Sequence, residues 1–334
     1  MFVPIFGYYS VTMWKDVLFG AFVLLLMIQI YKISLNDFAQ LNDYIIMFLC
    51  TIGVGLFRSN GMIISVILTM ILIIFLKQKR AIIFKTMIIP LILCVIIKGP
   101  LLTTLNIKGG NFVENLGIPL RQISGVIAKG YEIDSEDYNF VNKLVPIDII
   151  NEKYTPDSVD EIKFSNLFDN SFLEDNKSEF FRVWFNIFKK YPIEYTQIYL
   201  RSTYGFWYPE SQGYGVHKWA IENNDYGLYS NSKFNVLKIN EIHNGFYNSP
   251  LLKYFISDAF CFWGLLYAIG MVIYKKKYNY IYPLLLPLFV WVTIVIATPV
   301  AYQPRYTFSL FCTFPFVIFI LLKVFENEEK FTKH

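Results

Sequence analysis

Arginine is scarce in this chain, six residues in 334, and two of the six stand where apolar segments turn. Arg58 lies in LFRSNG at 56–61, and Arg305 closes Tyr302-Gln303-Pro304-Arg305. A guanidinium fork binds phosphate bidentately, and the pair strengthens where water is excluded. Each arginine alone also fits a headgroup contact or a structural ion pair. Two together, flanked by Asn60 and by Tyr302 and Gln303, point to a substrate site. Lys15-Asp16 precedes the first apolar segment, with Trp14 at aromatic-belt level. Asp16 is a candidate catalytic carboxylate or metal ligand, and Lys15 a substrate contact beside it. Lys98 follows the fourth apolar segment, where phosphate binding competes with snorkelling as its role. Glu114 and Arg121 share one helix face if Gly117 and Pro119 leave the helix unbroken, which makes them a second candidate acid and a substrate contact. Asp258 falls in an apolar segment, where an acid is functional by default. His217 and His243 have no metal-ligand spacing to Cys or acids, and no zinc site is expected.

Such residues need a platform, and composition says what kind. The chain is 55% hydrophobic and 19% aromatic, with a mean hydropathy of +0.41. Net charge is +4, so nucleic-acid binding has no electrostatic support. Cys50, Cys94, Cys261 and Cys312 all lie in apolar segments, which excludes a disulfide-stapled secreted domain. Seven apolar segments approach the roughly 20 residues that cross a bilayer as helix: 17–31, 44–57, 62–76, 81–97, 251–274, 278–300 and 306–325. The second is short enough to be a re-entrant arm.

The expected fold is therefore an α-helical integral membrane protein of about seven spans. A membrane region at 1–97 precedes a large, mainly helical extracytoplasmic domain at 98–250. Three spans at 251–325 and a cytoplasmic tail at 326–334 complete it. Orientation follows from the basic loops Lys77–Arg80 and Lys275–Lys277, both placed inside. Met1 then lies outside, yet Met1–Met13 lacks the basic start and cleavage site of a signal peptide. The expectation is a chain that forms the C-terminal part of a longer protein. In the polar block, SEFFRVWFNIFKK at 178–190 reads as a helix with a broad apolar face, for the domain core or the membrane surface. Asp134–Asp175 reads as loops and short helices, and Tyr204–Tyr229 as irregular loops.

Acids and arginines in external loops, many spans and one large external domain resemble the GT-C superfamily of polytopic glycosyltransferases. The protein mannosyltransferase and aminoarabinose transferase types, and an uncharacterised bacterial GT-C-like family, come nearest. The stretches that carry the resemblance are FGYYSVTMWKDVLF, LFRSNG, ENLGIPLRQISGV and ATPVAYQPRY. It implies a plasma-membrane enzyme that transfers a sugar from a polyprenyl-phosphate-linked donor to an extracytoplasmic glycan or protein acceptor. It implies donor-phosphate contacts at Arg58 and Arg305, with a divalent cation as the candidate cofactor. In the family an acidic loop follows the first span; the resemblance implies that the chain begins within or just after that loop, with Lys15-Asp16 corresponding to its second half. An O-antigen-type polymerase or ligase is the competing enzyme, and would have more spans. A transporter or scaffold is the non-catalytic alternative, without the inverted repeats typical of transporters.

Overall fold

The fold is known from a computed structural model, which describes residues 6–7, 9, 14–35, 40–107, 112–209, 225, 227, 241, 245, 248–255, 257–297, 300 and 303–329. Among these residues the secondary structure is helical throughout, without strands. The chain divides into two compact units. One comprises Met1–Pro100, Trp207–Val292 and Tyr302–His334, and the other Leu101–Phe206 with Thr293–Ala301.

The apolar unit is built from α1 (Lys15–Ser34), α2 (Leu41–Phe57), α3 (Ser59–Phe75) and α4 (Lys77–Thr104), the last as far as Pro100. Later in the chain come helices Asp258–Tyr274, Ile281–Ala297, which belongs to this unit as far as Val292, and Pro304–Glu329. Lys15–Ser34, Lys77–Thr104, Tyr278–Ala297 and Pro304–Glu326 are each long and apolar enough to cross a membrane. Leu41–Phe57, Ser59–Phe75 and Asp258–Tyr274 are apolar but shorter. Inward-facing residues such as Val23, Leu26, Met27, Leu68, Leu72 and Ile320 are fully buried. The outward row Ile63, Ile67, Met70 and Ile74 on α3 is 42–59% exposed. A helix apolar on its outer face as well as its inner one is solvated by lipid.

Side-chain contacts fix how these helices alternate. Lys32 near the end of α1 pairs with Asp43 in the first turn of α2 at 2.6 Å. Asp43 also accepts from the Gln40 backbone N–H, a capping box that starts α2. Arg58 alone, in extended conformation, joins α2 to α3. The corner is tight: a Cβ on Gly61 would meet the Val54 carbonyl oxygen at 1.9 Å. Helix α4 returns to this corner, where Lys98 Nζ donates to the Gly55 carbonyl at 2.6 Å. Its turns widen over Phe84–Ile88, just ahead of Pro90, and over Ile97–Leu101 around Pro100. Proline lacks the N–H that a regular turn needs.

In the second unit α5 (Gly117–Ala128) is the hub, with nearly every residue buried. Around it pack α6 (Ser135–Leu144), α7 (Ile147–Lys153), α8 (Lys177–Lys190) and α9 (Pro192–Thr203). Gln122 ties three of these helices, accepting from Trp184 Nε1 at 2.8 Å and donating to the Tyr195 carbonyl at 3.2 Å. Helix α8 buries Phe180, Val183 and Ile187 in this core, while Phe181 and Phe185 stay 44% and 49% exposed. The short helices expected over 134–175 are present. Most of 204–229 lies outside the described residues, although Tyr204–Phe206 forms a helical turn.

Beyond the second unit, the helices of the apolar unit become α10 (Asp258–Tyr274), α11 (Ile281–Ala297) and α12 (Pro304–Glu329). Two expectations need correction here. The segment 251–274 is not one helix: Leu252–Phe255 is a separate turn, and Asp258 is the first residue of α10, not an acid within a span. Glu114 and Arg121 do not share a helix face. Glu114 sits in the tight turn Phe112–Leu116, exposed, and the α-helix begins only at Gly117, with Arg121 fully buried. Pro119 fits in the first turn, where its missing N–H has no partner to lose.

Candidate functional site

The sequence builds one polar end into an otherwise apolar bundle. Trp14 is extended and α1 starts at Lys15, which places Asp16 in the first turn, where a carboxylate is favoured by the helix dipole. Arg58 is held by the single-residue corner between α2 and α3. Arg305 is the second residue of α12. These three side chains converge. Asp16 Oδ1 lies 3.3 Å from an Arg58 terminal nitrogen, and its Oδ2 accepts from Arg305 Nε at 3.1 Å. The carboxylate is 3% exposed, Arg58 12% and Arg305 34%. Arg58 also donates to the Tyr306 carbonyl at 3.1 Å.

Aromatic rings complete the cradle. The Arg58 guanidinium lies 5.6 Å from the Phe19 centroid and 5.4 Å from that of Tyr306. Arg305 lies 5.2 Å from both Trp14 and Tyr306. Cation–π contacts of this kind hold a guanidinium plane without consuming its N–H donors. Phe19 and Tyr306 were not singled out from sequence, though the signal existed: Phe19 is one turn from Asp16, and Tyr306 adjoins Arg305.

Lys98 has a different place from the one expected. Its Nζ caps the C-terminal end of α2, on the carbonyls of Gly55 at 2.6 Å and Arg58 at 3.5 Å. The Gly55 carbonyl lies in the last turn of α2, where no intrahelical N–H reaches it, and a cation there also suits the helix dipole. Lys98 thus fixes the backbone that carries Arg58. Lys15 is exposed at the start of α1, Asn60 half-buried in the first turn of α3, and Gln303 half-buried just before α12. Tyr302 lies outside the described residues. Nearby on α12, Thr307 donates to Asp258 at 2.6 Å, so a second carboxylate is engaged at a helix start.

Glu114 and Arg121 belong to the other compact unit. Glu114 pairs there with buried Lys163 at 3.3 Å, and Arg121 is buried in α5.

Chemically, two guanidiniums on one carboxylate leave net positive charge at a partly open position. The starts of α1, α3, α10 and α12 lie at this end, each with N–H groups that lack helical partners. An anion is the ligand such an arrangement accepts. A divalent cation does not fit: both Asp16 oxygens face guanidinium nitrogens, and no cluster of three or more His, Cys, Asp or Glu exists among the described residues.

Fold and cluster together describe an α-helical protein with membrane-length apolar helices and a carboxylate–arginine cluster at one end of its apolar bundle. The chain belongs to the Family of unknown function (DUF6020), which matches residues 1–333. No curated protein and no solved structure matches it.

Proposed function

We propose that this protein handles a lipid-linked phosphate at the Asp16–Arg58–Arg305 cluster, as a sugar transferase of the GT-C type. The donor is a polyprenyl-phosphate-linked sugar, and the acceptor an extracytoplasmic glycan or protein. The observation that carries the reading is the shared carboxylate: Asp16 aims two guanidiniums that come from chain segments 247 residues apart (305 − 58). Seven helices cross the plasma membrane in this reading, with α2, α3 and α10 as short spans. The cluster then faces outward, and Lys77–Arg80 and Lys275–Lys277 face the cytoplasm, in keeping with the positive-inside bias.

Sugar transfer leaves a lipid phosphate or pyrophosphate behind. Preorganised cations stabilise the charge that develops on it. Arg58 and Arg305 take this role. Asp16, with both oxygens engaged, is assigned to holding them in place; the acceptor's oxygen bonds the sugar as the bond to the lipid phosphate breaks, and the acceptor's proton passes to the departing phosphate or to water. Lys98 keeps the α2–α3 corner from moving.

The test is binding of a polyprenyl-phosphate analogue to the detergent-solubilised full chain, compared with Arg58→Lys and Arg305→Lys. Both variants keep the charge but lose the planar fork. Each should bind roughly tenfold more weakly, the loss of one charge-assisted hydrogen bond. Unchanged affinity in both variants, with lowered thermal stability, would make the cluster a structural ion pair and reject the reading.

A further inference from the structure

At the other end of the apolar unit, α4 meets α2 across a groove of about 540 Å³. Leu41, Ile45, Phe48 and Leu49 of α2 line one side, and Lys85 and Thr86 of α4 the other. Leu41, Ile45 and Leu49 form an outward ridge, 73%, 48% and 53% exposed, and Phe84 beside Lys85 is 51% exposed. The groove therefore opens on the lipid-facing surface of the bundle.

Lys85 is the anomaly. It is a charged residue exposed on an otherwise apolar face. It sits in the widened turn Phe84–Ile88, and such turns in helices gather at functional sites. Asp43, the acid on the facing helix, is already paired with Lys32. Lys77, Lys79 and Arg80 begin the same helix, within about two turns of Lys85 or roughly 12 Å, so they stand at headgroup level. A basic recess between membrane helices binds anionic lipid headgroups. We infer that this groove is a binding site for an anionic phospholipid, with one acyl chain between α2 and α4 and the phosphate on Lys85. The inference does not depend on sugar transfer and stands or falls separately.

The experiment is native mass spectrometry of the full chain in detergent, titrated with phosphatidylglycerol or phosphatidylcholine. Wild type should retain one phosphatidylglycerol in preference to phosphatidylcholine. Lys85→Gln should reduce that preference about fivefold, the weight of one lysine at a lipid surface. Ile45→Trp, at a half-exposed position that tolerates a larger ring, should fill the groove and abolish tight retention of either lipid. Lys323→Gln, which removes a basic residue paired with Glu326 on α12, should behave as wild type. Retention unchanged in both groove variants would overturn the site. So would loss in Lys85→Gln alone, which places the headgroup on the surface with no chain in the groove. A lipid-free dimer dissociated by Ile45→Trp would also overturn it, because the groove would then be an interface between copies.

Discussion

In the apolar unit one carboxylate is shared by two arginines, and in the helical unit one arginine is shared by three carboxylates. Arg182 on α8 meets both Glu179 oxygens through Nε at 2.9 Å, Glu136 at 3.2 Å and Asp137 at 3.6 Å. The types are similar and the consequences opposite. Arg182 is 37% exposed, its nitrogens all face acids, and the cluster is net negative. It latches α6 to α8 at a wet surface, where such pairs contribute little. Asp16 is almost fully buried and outnumbered, so the spare charge is cationic and points to where Arg305 is still open. An ion network becomes a candidate site through the sign of its excess charge and through its burial; the number of its bonds decides nothing.

Asp16→Ala draws the contrast most sharply. It leaves two guanidiniums facing one another, Arg58 mostly buried and Arg305 a third exposed, and breaking the pairs costs about 2–3 kcal/mol, below the figure for a fully buried pair because water screens Arg305. Thermal unfolding in lipid nanodiscs should show a large drop, together with loss of anion binding. Glu179→Ala, at an exposed helix surface, should leave unfolding nearly unchanged. Equal effects from the two substitutions would mean that burial does not separate the two clusters.

Gly61→Ala comes next. A Cβ there would sit 1.9 Å from the Val54 carbonyl oxygen, which is backbone and cannot swing away. The α2–α3 corner must open, at a cost of about 1–3 kcal/mol as in other overpacked sites. Because Arg58 is the corner, anion affinity should fall along with stability. A stable Gly61→Ala protein with wild-type affinity would show that the corner does not position Arg58.

How much of this was readable beforehand depended on distance along the chain. Asp16, Arg58 and Arg305 stood out because charged residues interrupt apolar runs at few places. Their pairing was not readable, because the Asp16–Arg305 contact spans 289 positions and nothing local encodes it. Lys98 was visible as a cation at a helix end, but its carbonyl partners lie 40 and 43 residues earlier. For Glu114 and Arg121 the condition that their helix run unbroken through Gly117 is not met, for a local reason. A seven-residue spacing means a shared face only inside one helix, and the helix starts between them at Gly117. The apolar helices themselves were legible, because lipid demands hydrophobicity on every face and so leaves long unbroken runs. The breaks at Phe255–Asp258 were not, because a helix end within an apolar stretch carries little compositional mark.

The smallest expected effect probes the helical unit's own version of the buried acid. Asp137 is 3% exposed, and burial pushes its carboxyl above the usual range. Nearby Asp134 and Glu136 push the same way, while the hydrogen bond from Asn186 at 3.4 Å and the charge of Arg182 oppose it. A carboxyl whose pKa is raised on folding binds its proton more tightly in the folded state. Its charge therefore penalises folding at neutral pH, and the penalty is relieved as pH falls through the folded pKa. Asp137→Asn removes that charge while keeping the shape. It should raise amide protection across Ser135–Leu144 at neutral pH by roughly threefold. The gain should shrink on acidification and vanish below the ordinary value of 3.8, where the wild-type carboxyl is protonated in both states. Hydrogen exchange of the intact protein, with protection factors compared across pH, measures this directly. A loss of protection at neutral pH would mean that Arg182 outweighs burial. Asp137 would then be a stabilising partner, like Asp16, and the two networks would differ only in the sign of their excess charge.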